Sequence, residues 1–407
     1  MKIAIDISQI VFPGGVGKYT RKLVENLLEQ DNKNQYILLA YSLRQKSVFD
    51  EFTDGLKNYK NWGLRYIPLP ISMLEPVVNK WCLPSLEVLA GKVDLYHASD
   101  WIQFPSKAKI VSTVHDLAPI IYPQFHDKKI VKVFSRRLRL LKKCDGLICV
   151  SESTKRDLER YFAGYSALTP GDAQGATHGV FSQQNLKDFG QGYPGFFGQQ
   201  KIKVIYEAGV VGSDSPSALT PGDARTATPG VSGHMPYVLT VSGLNPRKNI
   251  KRLLKAFAIF HQYHPDYKLV VAGAFGWGEK FANQHNIEFV GDLSDLKLIE
   301  FYKNAELFVY PSLYEGFGLS VLEAMGFKLP VVTSNVSSLP EIAGEAAILV
   351  DPKDERAIAV GMEEALEAKK ELIKNGLKQV KKFGWEKCAR ETLAFYKKIV
   401  ISSDHKS

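Results

Sequence analysis

Short apolar, β-branched runs of strand length alternate along the chain with longer segments in which apolar residues recur at helical spacing. The first half contains the runs Lys2–Ile7, Tyr36–Tyr41, Leu64–Leu69, Val93–His97, Ile110–His115, Gly146–Val150 and Lys203–Tyr206. A second series contains Tyr237–Val241, Lys268–Ala272, Ile287–Val290, Leu307–Tyr310, Pro330–Thr333 and Ile348–Val350. Continuous apolar strands separated by helices are typical of parallel sheets that are covered on both faces. The pattern therefore predicts an α/β protein with two tandem doubly wound domains.

Amphipathic segments between the strands predict helices at Val16–Gln30, Thr154–Phe162, Ile250–Tyr263 and Leu319–Phe327. The last stretch, Glu386–Ile401, also has helical spacing, and no strand follows it. We expect this C-terminal helix, within residues 386–407, to pack back toward the N-terminal domain.

The composition changes abruptly between the two series. Residues 166–180 (SALTPGDAQGATHGV) and 217–231 (SALTPGDARTATPGV) share 12 of 15 positions. Two copies are too few for a stacked repeat architecture. The segments can form a hinge or recognition tether, or they can be two solvated insertions in loops. Loop-length statistics favour the insertions. We expect an N-terminal domain at 1–211 with a disordered insertion at 163–200, a Gly/Pro-rich interdomain linker at 212–235, and a C-terminal domain at 236–385.

The composition sets outer limits on the kind of protein. With 407 residues, 45% hydrophobic and 23% charged, the chain is neither disordered nor collagen-like. No apolar run approaches the ~20 residues of a membrane span. Asp6 stands where a secretory signal peptide needs its apolar core, so we expect no signal peptide. Four cysteines in so long a chain indicate reduced thiols in a cytosolic protein. A net charge of +9 suits phosphorylated substrates or an anionic membrane, and no zinc-finger or RNA-binding signature supports nucleic acid.

A glycine-rich stretch, Pro13-Gly14-Gly15-Val16-Gly17, follows the first predicted strand and opens the first predicted helix. Glycines there let backbone amides approach an anion at the positive end of a helix, although such a turn also needs glycine for geometry alone. A dinucleotide-binding loop is the alternative, but its third glycine is missing and no acidic residue ends Tyr36–Tyr41 to bind a ribose.

The stretch Ser242-Gly243-Leu244-Asn245-Pro246-Arg247-Lys248-Asn249 occupies the equivalent place in the second series. A guanidinium fork beside an ammonium group suits a diphosphate. The alternative is a solvated turn before a helix, and both interpretations stay open, because ligands bind at this edge of parallel sheets.

The stretch Glu315-Gly316-Phe317-Gly318-Leu319-Ser320-Val321-Leu322-Glu323 is the most informative one. Gly316 and Gly318 allow a ligand to approach the backbone, and the free amides of the next helix near Leu319 and Ser320 suit a phosphate. Glu323 stands beside apolar residues, where a solvated charge is poorly placed. A carboxylate that accepts two ribose hydroxyls would explain it, and an ordinary exposed helix residue is the alternative.

With these sites in view, the chain resembles family 4 of the retaining glycosyltransferases, which have the GT-B fold of two Rossmann-like domains with a cleft between them. The most specific element is the E-x7-E pair, Glu315 and Glu323, within PSLYEGFGLSVLEAM. The glycine loop, Thr113-Val114-His115-Asp116, Val150-Ser151-Glu152-Ser153, Pro246-Arg247-Lys248-Asn249 and Gly384-Trp385-Glu386 follow in the expected order.

The resemblance implies a role for each motif. Glu323 would bind the ribose and Glu315 the donor sugar, and His115 would lie near the reacting carbon. Arg247 and Lys248 would neutralise the diphosphate. Some relatives carry a basic residue where this chain has Leu244, so Arg247 and Lys248 would neutralise a larger share of the phosphate charge here. The implied catalytic residues are His115, Arg247, Lys248 and Glu315, and the implied substrate-binding residues are Gly14, Gly15, Ser242, Gly243, Gly316, Phe317, Gly318, Leu319, Ser320 and Glu323.

The resemblance also implies the reaction, a front-face transfer of a hexose from a nucleotide-diphosphate sugar to a glycan or lipid-linked acceptor in polysaccharide or glycolipid assembly. Loops near His115 resemble mannosyl-type members, so GDP-mannose is the first donor and a UDP-hexose the second. No two aspartates stand two apart, so we expect neither metal nor cofactor. A nucleotide-dependent dehydrogenase is excluded, because the third glycine and the ribose-binding acidic residue of the dinucleotide-binding motif are missing. A non-catalytic sugar-nucleotide-binding subunit remains as the alternative function.

A basic amphipathic segment, Lys128–Lys143, suits an anionic membrane surface. A helix with one buried stripe and one solvated cationic face is the equally favoured alternative. We expect a cytoplasmic protein, peripheral at the inner face of the membrane if the first interpretation holds.

Overall fold

The structure is a computed structural model that describes residues 1–12, 14–163, 201–209, 235–274 and 281–401. Both Gly/Pro/Thr-rich repeats lie outside the described residues, and so do the expected insertion and linker apart from their end residues 163 and 235. The described chain forms two compact units. The first holds residues 1–163, 201–207 and 385–401, and the second holds the described residues between 208 and 384.

The first unit is built on a sheet of parallel strands in the order β3-β2-β1-β4-β5-β6-β7. The strands are β1 Lys2–Asp6, β2 Gln35–Tyr41, β3 Trp62–Ile67, β4 Leu95–Ala98, β5 Lys109–Val114, β6 Gly146–Cys149 and β7 Lys201–Val204. The helices are α1 Gly15–Gln30, α2 Lys46–Asp54, α3 Ile71–Trp81, α4 Leu86–Ala90, α5 Ala118–Ile121, α6 Lys128–Leu141, α7 Glu152–Phe162 and the last helix of the chain, α14 Trp385–Ile401.

The second unit has a parallel sheet in the order β10-β9-β8-β11-β12-β13. Its strands are β8 Tyr237–Val241, β9 Lys268–Ala272, β10 Ile287–Gly291, β11 Leu307–Tyr310, β12 Val331–Ser334 and β13 Ile348–Val350. Its helices are α8 Ile250–His261, α9 Asp295–Asn304, α10 Leu319–Gly326, α11 Leu339–Ala343, α12 Glu355–Glu367 and α13 Lys369–Val380. Short 3-10 turns lie at Ser8–Val11, Pro123–Phe125 and Pro246–Lys248.

The predicted α/β class is confirmed, and each predicted strand is present with ends that differ by at most two residues. The reason is burial on both faces: Ile3, Ala4 and Ile5 of β1 are at most 2% exposed, and the four residues of β11 are at most 4% exposed. Successive side chains of a strand point to opposite faces of the sheet, and both faces are buried. Each position therefore needs an apolar side chain, which gives the continuous apolar runs in the sequence.

Each sheet has one place where the strand order reverses, between β1 and β4 in the first unit and between β8 and β11 in the second. The loops that leave these two strands run in opposite directions, so a crevice opens at the carboxyl ends of the strands. Ligands of open α/β sheets bind at this position. The topology therefore directs attention to the loops after β1, β4, β8 and β11.

The C-terminal helix α14 packs against α1 within the first unit. A Cβ atom at Gly146 would lie 2.8 Å from the Ile399 side chain and 2.9 Å from the Phe395 ring, so a larger residue at the start of β6 would displace these two side chains of α14. His97 of β4 holds the same helix, because its Nδ1 lies 2.5 Å from the Tyr396 hydroxyl and its Nε2 lies 2.9 Å from Thr113 Oγ1. A buried histidine thus joins the sheet to the last helix.

This histidine should make the protein sensitive to acid. Burial, with the nearby charges of His115 and Arg137, lowers the pKa of His97 from 6.5 to about 3. Between these values the unfolded chain binds a proton that the folded chain refuses, so stability falls as the pH falls, by at most about 1.4 kcal/mol per pH unit. We expect H97Q to lose this contribution to the slope of unfolding free energy against pH, measured by urea unfolding between about pH 6 and pH 4.

The matched control for this measurement is H285Q, which removes an exposed histidine of the second unit and should keep the slope of the native chain. Equal slopes for H97Q and the native chain would show that His97 is not held neutral.

Candidate functional site

Two loops meet at the β8/β11 reversal of the second sheet. Arg247, in the turn after β8, donates from Nη1 to the Tyr314 carbonyl at 2.6 Å, and its own backbone carbonyl accepts from the Leu313 amide at 2.9 Å. Asn249 donates from Nδ2 to the Pro311 carbonyl at 2.9 Å. It adopts a left-handed conformation, with φ of 61°, just before α8 begins. The predicted motif 246–249 therefore anchors the loop that carries Glu315.

Glu315 is the centre of a buried ion cluster. Its Oε2 accepts from Arg247 Nη1 at 2.8 Å, and its Oε1 accepts from Lys248 Nζ at 2.6 Å and from the Tyr310 hydroxyl at 3.1 Å. Lys248 also donates to the Tyr310 hydroxyl. Burial alone would raise the pKa of Glu315, but the charges of Arg247 and Lys248 outweigh it and lower that pKa to about 2. The carboxylate is therefore ionised at every physiological pH.

The cluster brings together residues for which the resemblance implied separate tasks. One carboxylate faces two cations, so the three side chains carry a formal charge of +1 at the point where a parallel sheet binds ligands. A site of this kind suits an anionic ligand, and the carboxylate adds an acceptor for hydroxyl groups.

The N-terminus of α10 follows directly after Glu315. Gly318 precedes the helix with φ of +117°, a conformation that favours glycine, and a Cβ there would lie 2.9 Å from Leu339. Ser338 donates from Oγ to the carbonyls of Glu315 at 3.0 Å and of Phe317 at 2.6 Å, which fixes the loop. Gly316 is buried in the same loop, and Leu319 and Ser320 are half-buried at the first turn of the helix.

The Phe317 side chain is 4% exposed and packs edge-on against Phe383, with ring centroids 5.8 Å apart. This packing turns the ring into the interior of the second unit. What Phe317 offers a ligand is therefore its backbone.

Glu323 lies on α10 and is 5% exposed, beside Val321 and Leu322, which are fully buried. The Tyr302 hydroxyl of α9 donates to its Oε2 at 3.2 Å. The alternative of an ordinary exposed helix residue is therefore wrong. A buried carboxylate that a tyrosine orients is suited to receive hydroxyl donors.

Of the remaining predicted residues after β8, Ser242 is buried, and its Oγ has no hydrogen-bond partner among the described residues. Gly243 has space for a Cβ, whose nearest neighbour would be the Ala274 carbonyl at 3.8 Å. Leu244 belongs to the hydrophobic core of the unit. An unsatisfied buried hydroxyl directly after β8 offers a ligand one more polar contact.

The glycine loop of the first unit has two kinds of glycine. Gly14 and Gly15 are exposed at the N-terminus of α1, and Gly14 has φ of +122° with open space before it. At Gly17, in contrast, a Cβ would lie 2.3 Å from the Phe12 carbonyl, so that glycine is needed for packing. The exposure of Gly14 and Gly15 is compatible with an anion site. Gly17 is instead needed for the geometry of the turn.

His115 follows β5 and is buried in the first unit, where its Nδ1 lies 3.0 Å from Glu207 Oε1. Tyr19 of α1 packs edge-on against the ring, with centroids 4.8 Å apart. Burial disfavours the charged imidazole, but the Glu207 carboxylate outweighs it and raises the pKa of His115. Sequence analysis missed Glu207; its only signal was an acidic residue just after a predicted strand.

Comparison with known proteins connects these features to a family. Residues 227–379 match glycosyl transferases group 1, and residues 13–165 match glycosyltransferase family 4. An O-antigen chain mannosyltransferase B of Escherichia coli is 27% identical over 98% of this chain and 100% of its own length. A serotype-specific mannosyltransferase of the same organism is 32% identical, over 41% of this chain and 22% of its own.

Solved structures share the fold. A sucrose-phosphate synthase from Thermosynechococcus elongatus superposes with a TM-score of 0.69 at 19% identity, covering 99% of this chain and 100% of that chain. Anabaena HepE in complex with UDP and glucose has a TM-score of 0.61 at 15% identity, covering 98% and 100%. The two parallel α/β sheets and these neighbours confirm the predicted GT-B fold.

The His115–Glu207 pair yields a prediction. We expect E207Q to lower the pKa of His115, measured by NMR titration of the imidazole, because the carboxylate that favours the charged ring is gone. A raised folded-state pKa contributes stability that is fully present below the unfolded value of 6.5 and is lost as the pH rises through the folded value. The stability difference between the native chain and E207Q should therefore shrink as the pH rises.

The control is E363Q, which removes the carboxylate 2.6 Å from His264 in the second unit and should leave the His115 titration unchanged. An unaltered His115 pKa in E207Q would contradict the assigned pairing.

Proposed function

The chain belongs to the group 1, family 4 glycosyltransferases, and from this premise we propose that it transfers mannose, with retention, from a nucleotide-diphosphate donor. GDP-mannose is the first donor and a UDP-hexose the second. The observation that carries the proposal is the Arg247–Lys248–Glu315 cluster at the strand-order reversal of the second sheet. The mannosyltransferases among the relatives support the sugar, and HepE with UDP and glucose supports a nucleotide ligand.

In this proposal the donor lies along the carboxyl edge of the second sheet. Glu323 accepts the ribose hydroxyls, with Tyr302 orienting the carboxylate. The amides at Gly318, Leu319 and Ser320 and the two cations bind the diphosphate. Glu315 accepts hydroxyls of the sugar and, because it remains ionised, also holds Arg247 and Lys248 in position.

The reaction is a front-face substitution. The bond from the anomeric carbon to the phosphate oxygen breaks, and its electron pair leaves with the diphosphate. The acceptor oxygen forms the new bond on the same face and gives its proton to the departing phosphate oxygen. Negative charge grows on the diphosphate, so cations that are already in place stabilise the transition state more than the ground state.

This chemistry needs no divalent metal for the diphosphate, because Arg247, Lys248 and helix amides supply the positive charge. The absence of an Asp-x-Asp pair in the sequence supports metal independence. In this proposal His115, whose Nδ1 lies 3.0 Å from Glu207 Oε1, is a hydrogen-bond donor to the transferred sugar.

The acceptor we propose is a glycan or a lipid-linked glycan in polysaccharide assembly. The match to an O-antigen chain mannosyltransferase along its whole length supports this class. We also propose a cytoplasmic protein that associates with the anionic inner face of the membrane through Lys128–Lys143.

The donor site is tested with a panel of nucleotide sugars in a thermal-shift assay, because a ligand of the folded state stabilises it by mass action. We expect GDP-mannose to raise the melting temperature most. E323Q should weaken donor binding about 10-fold to 100-fold through loss of the charged acceptor. E345Q, at an exposed position of the same unit, is the control and should bind as the native chain does.

The catalytic role of Lys248 is tested by turnover. We expect K248A to lower kcat about 100-fold to 1,000-fold, with a smaller change in donor affinity, since its charge acts mainly on the departing diphosphate. Donor binding without any transfer or donor hydrolysis by the native chain would instead favour the non-catalytic sugar-nucleotide-binding subunit.

A further inference from the structure

Tyr19 is a buried residue of the first unit that contacts two residues of one strand end. Helix α1 begins at Gly15, and Tyr19 lies about one turn further on, among the buried residues of that helix. Its ring packs edge-on against the His115 imidazole, with centroids 4.8 Å apart and an angle of 83° between the planes. Its hydroxyl lies 3.0 Å from Thr113 Oγ1. One side chain therefore joins the first helix to both residues.

Thr113 and His115 lie on the same side of the first sheet. Thr113 belongs to β5, and His115 follows that strand directly. Side chains two positions apart on a strand point to the same face of a sheet. Tyr19 contacts both of them, so its ring covers the face on which His115 lies. Its hydroxyl is bound by a residue that the strand itself holds in place.

The hydrogen bonds continue from Thr113 to the last helix. Thr113 Oγ1 lies 2.9 Å from His97 Nε2, and His97 Nδ1 lies 2.5 Å from the Tyr396 hydroxyl of α14. Tyr19, Thr113, His97 and Tyr396 are each at most 5% exposed. A hydroxyl can both donate and accept, and a neutral imidazole does the same through its two nitrogens. The four side chains thus form one continuous buried chain of hydrogen bonds from α1 to α14.

The contact with Tyr19 supplies an orientation that the Glu207 carboxylate alone does not. Glu207 holds the His115 ring at a single atom, Nδ1, and one hydrogen bond leaves the ring able to tilt about that atom. Edge-on aromatic pairs have a preferred geometry, so the Tyr19 ring opposes this tilt. Burial raises the pKa of the Tyr19 hydroxyl well above its ordinary value of 10. This hydroxyl therefore keeps its proton at neutral pH and serves to position the ring.

We propose that Tyr19 is a positioning residue for sugar transfer. Its ring sets the tilt of the His115 imidazole, and its hydroxyl anchors that ring through Thr113 and His97 to the last helix. The inference rests on the proposed role of His115 beside the transferred sugar. A group that acts on the reacting atoms must be accurately placed, and a misplacement of about 1 Å can cost about 100-fold in rate.

The first measurement is NMR of the full chain labelled at histidine, in which the His115 ring signals are those that H115Q removes. We expect Y19L to shift these signals, because the ring current of Tyr19 is lost and the imidazole tilts. Y19F keeps the ring and loses the anchoring hydroxyl, so it should shift them less. T113V should act as Y19F does, and T113S, which keeps a hydroxyl at this position, should retain the native signals.

The second measurement is turnover with the nucleotide sugar that the native chain transfers. We expect Y19L to lower kcat about 100-fold, and Y19F and T113V to lower it about 10-fold, with the donor KM changed by less than about twofold. T113S should keep the native kcat. A merely structural role for Tyr19 would lower the melting temperature and leave the kcat of the folded enzyme unchanged.

Two variants elsewhere in the first unit are matched controls. Y36F removes another buried tyrosine hydroxyl, which donates to Asp31 Oδ2 at 2.5 Å near the start of β2, at the opposite edge of the sheet. F49L removes a fully buried ring from α2. Both controls should keep the native kcat and the native His115 signals, whatever their effect on the melting temperature.

The inference is overturned if Y19L leaves the His115 signals in place, if Y19L keeps the native kcat, or if Y36F and F49L lower kcat as much as Y19F and Y19L do. A native kcat in both Y19F and T113V would overturn the anchoring through Thr113. In each of these cases the native chain still transfers sugar, so the proposed function stands. A native chain that transfers sugar from no nucleotide donor would overturn the proposed function, and this inference with it.

Discussion

The second unit depends on the ion cluster of Glu315 with Arg247 and Lys248. A carboxylate that is 7% exposed is costly to bury unless opposite charges meet it, and here two do. Because Arg247 and Lys248 come from the loop after β8 and Glu315 from the loop after β11, their attraction draws the two loops together at the strand-order reversal. The same contacts that offset the cost of burial therefore build the site.

The first unit uses a related arrangement on a smaller scale. His115 after β5 meets Glu207 after β7, so two loops at the same edge of the sheet are joined by a buried titratable pair. The two groups differ in the direction of their pKa shifts. The pKa of Glu315 is lowered to about 2, so this carboxylate keeps its charge over the physiological range, whereas the Glu207 carboxylate outweighs burial and raises the pKa of His115.

Local pattern was sufficient for the strands, because burial on both faces leaves a continuous apolar run in the sequence. It was also sufficient to mark Glu323, since a carboxylate beside Val321 and Leu322 is out of place on a solvated surface. It could not find Glu207, whose role depends on a contact with a residue 92 positions away. Nor did it find α3, because Pro76 stands inside that helix and interrupts the usual helical signal.

The net charge of +9 shows why composition alone could not choose a partner. Some of the cations that contribute to it are buried or half-buried and already bound by protein groups: Arg137 by a carbonyl and a side-chain amide, Arg247 and Lys248 by Glu315. Others, such as Lys128, Lys132 and Arg139 on α6, are exposed. The first kind acts on the fold or on a ligand at short range, and only the second can attract a charged surface from a distance. An excess of positive charge therefore becomes informative only after the structure has divided it between these two environments.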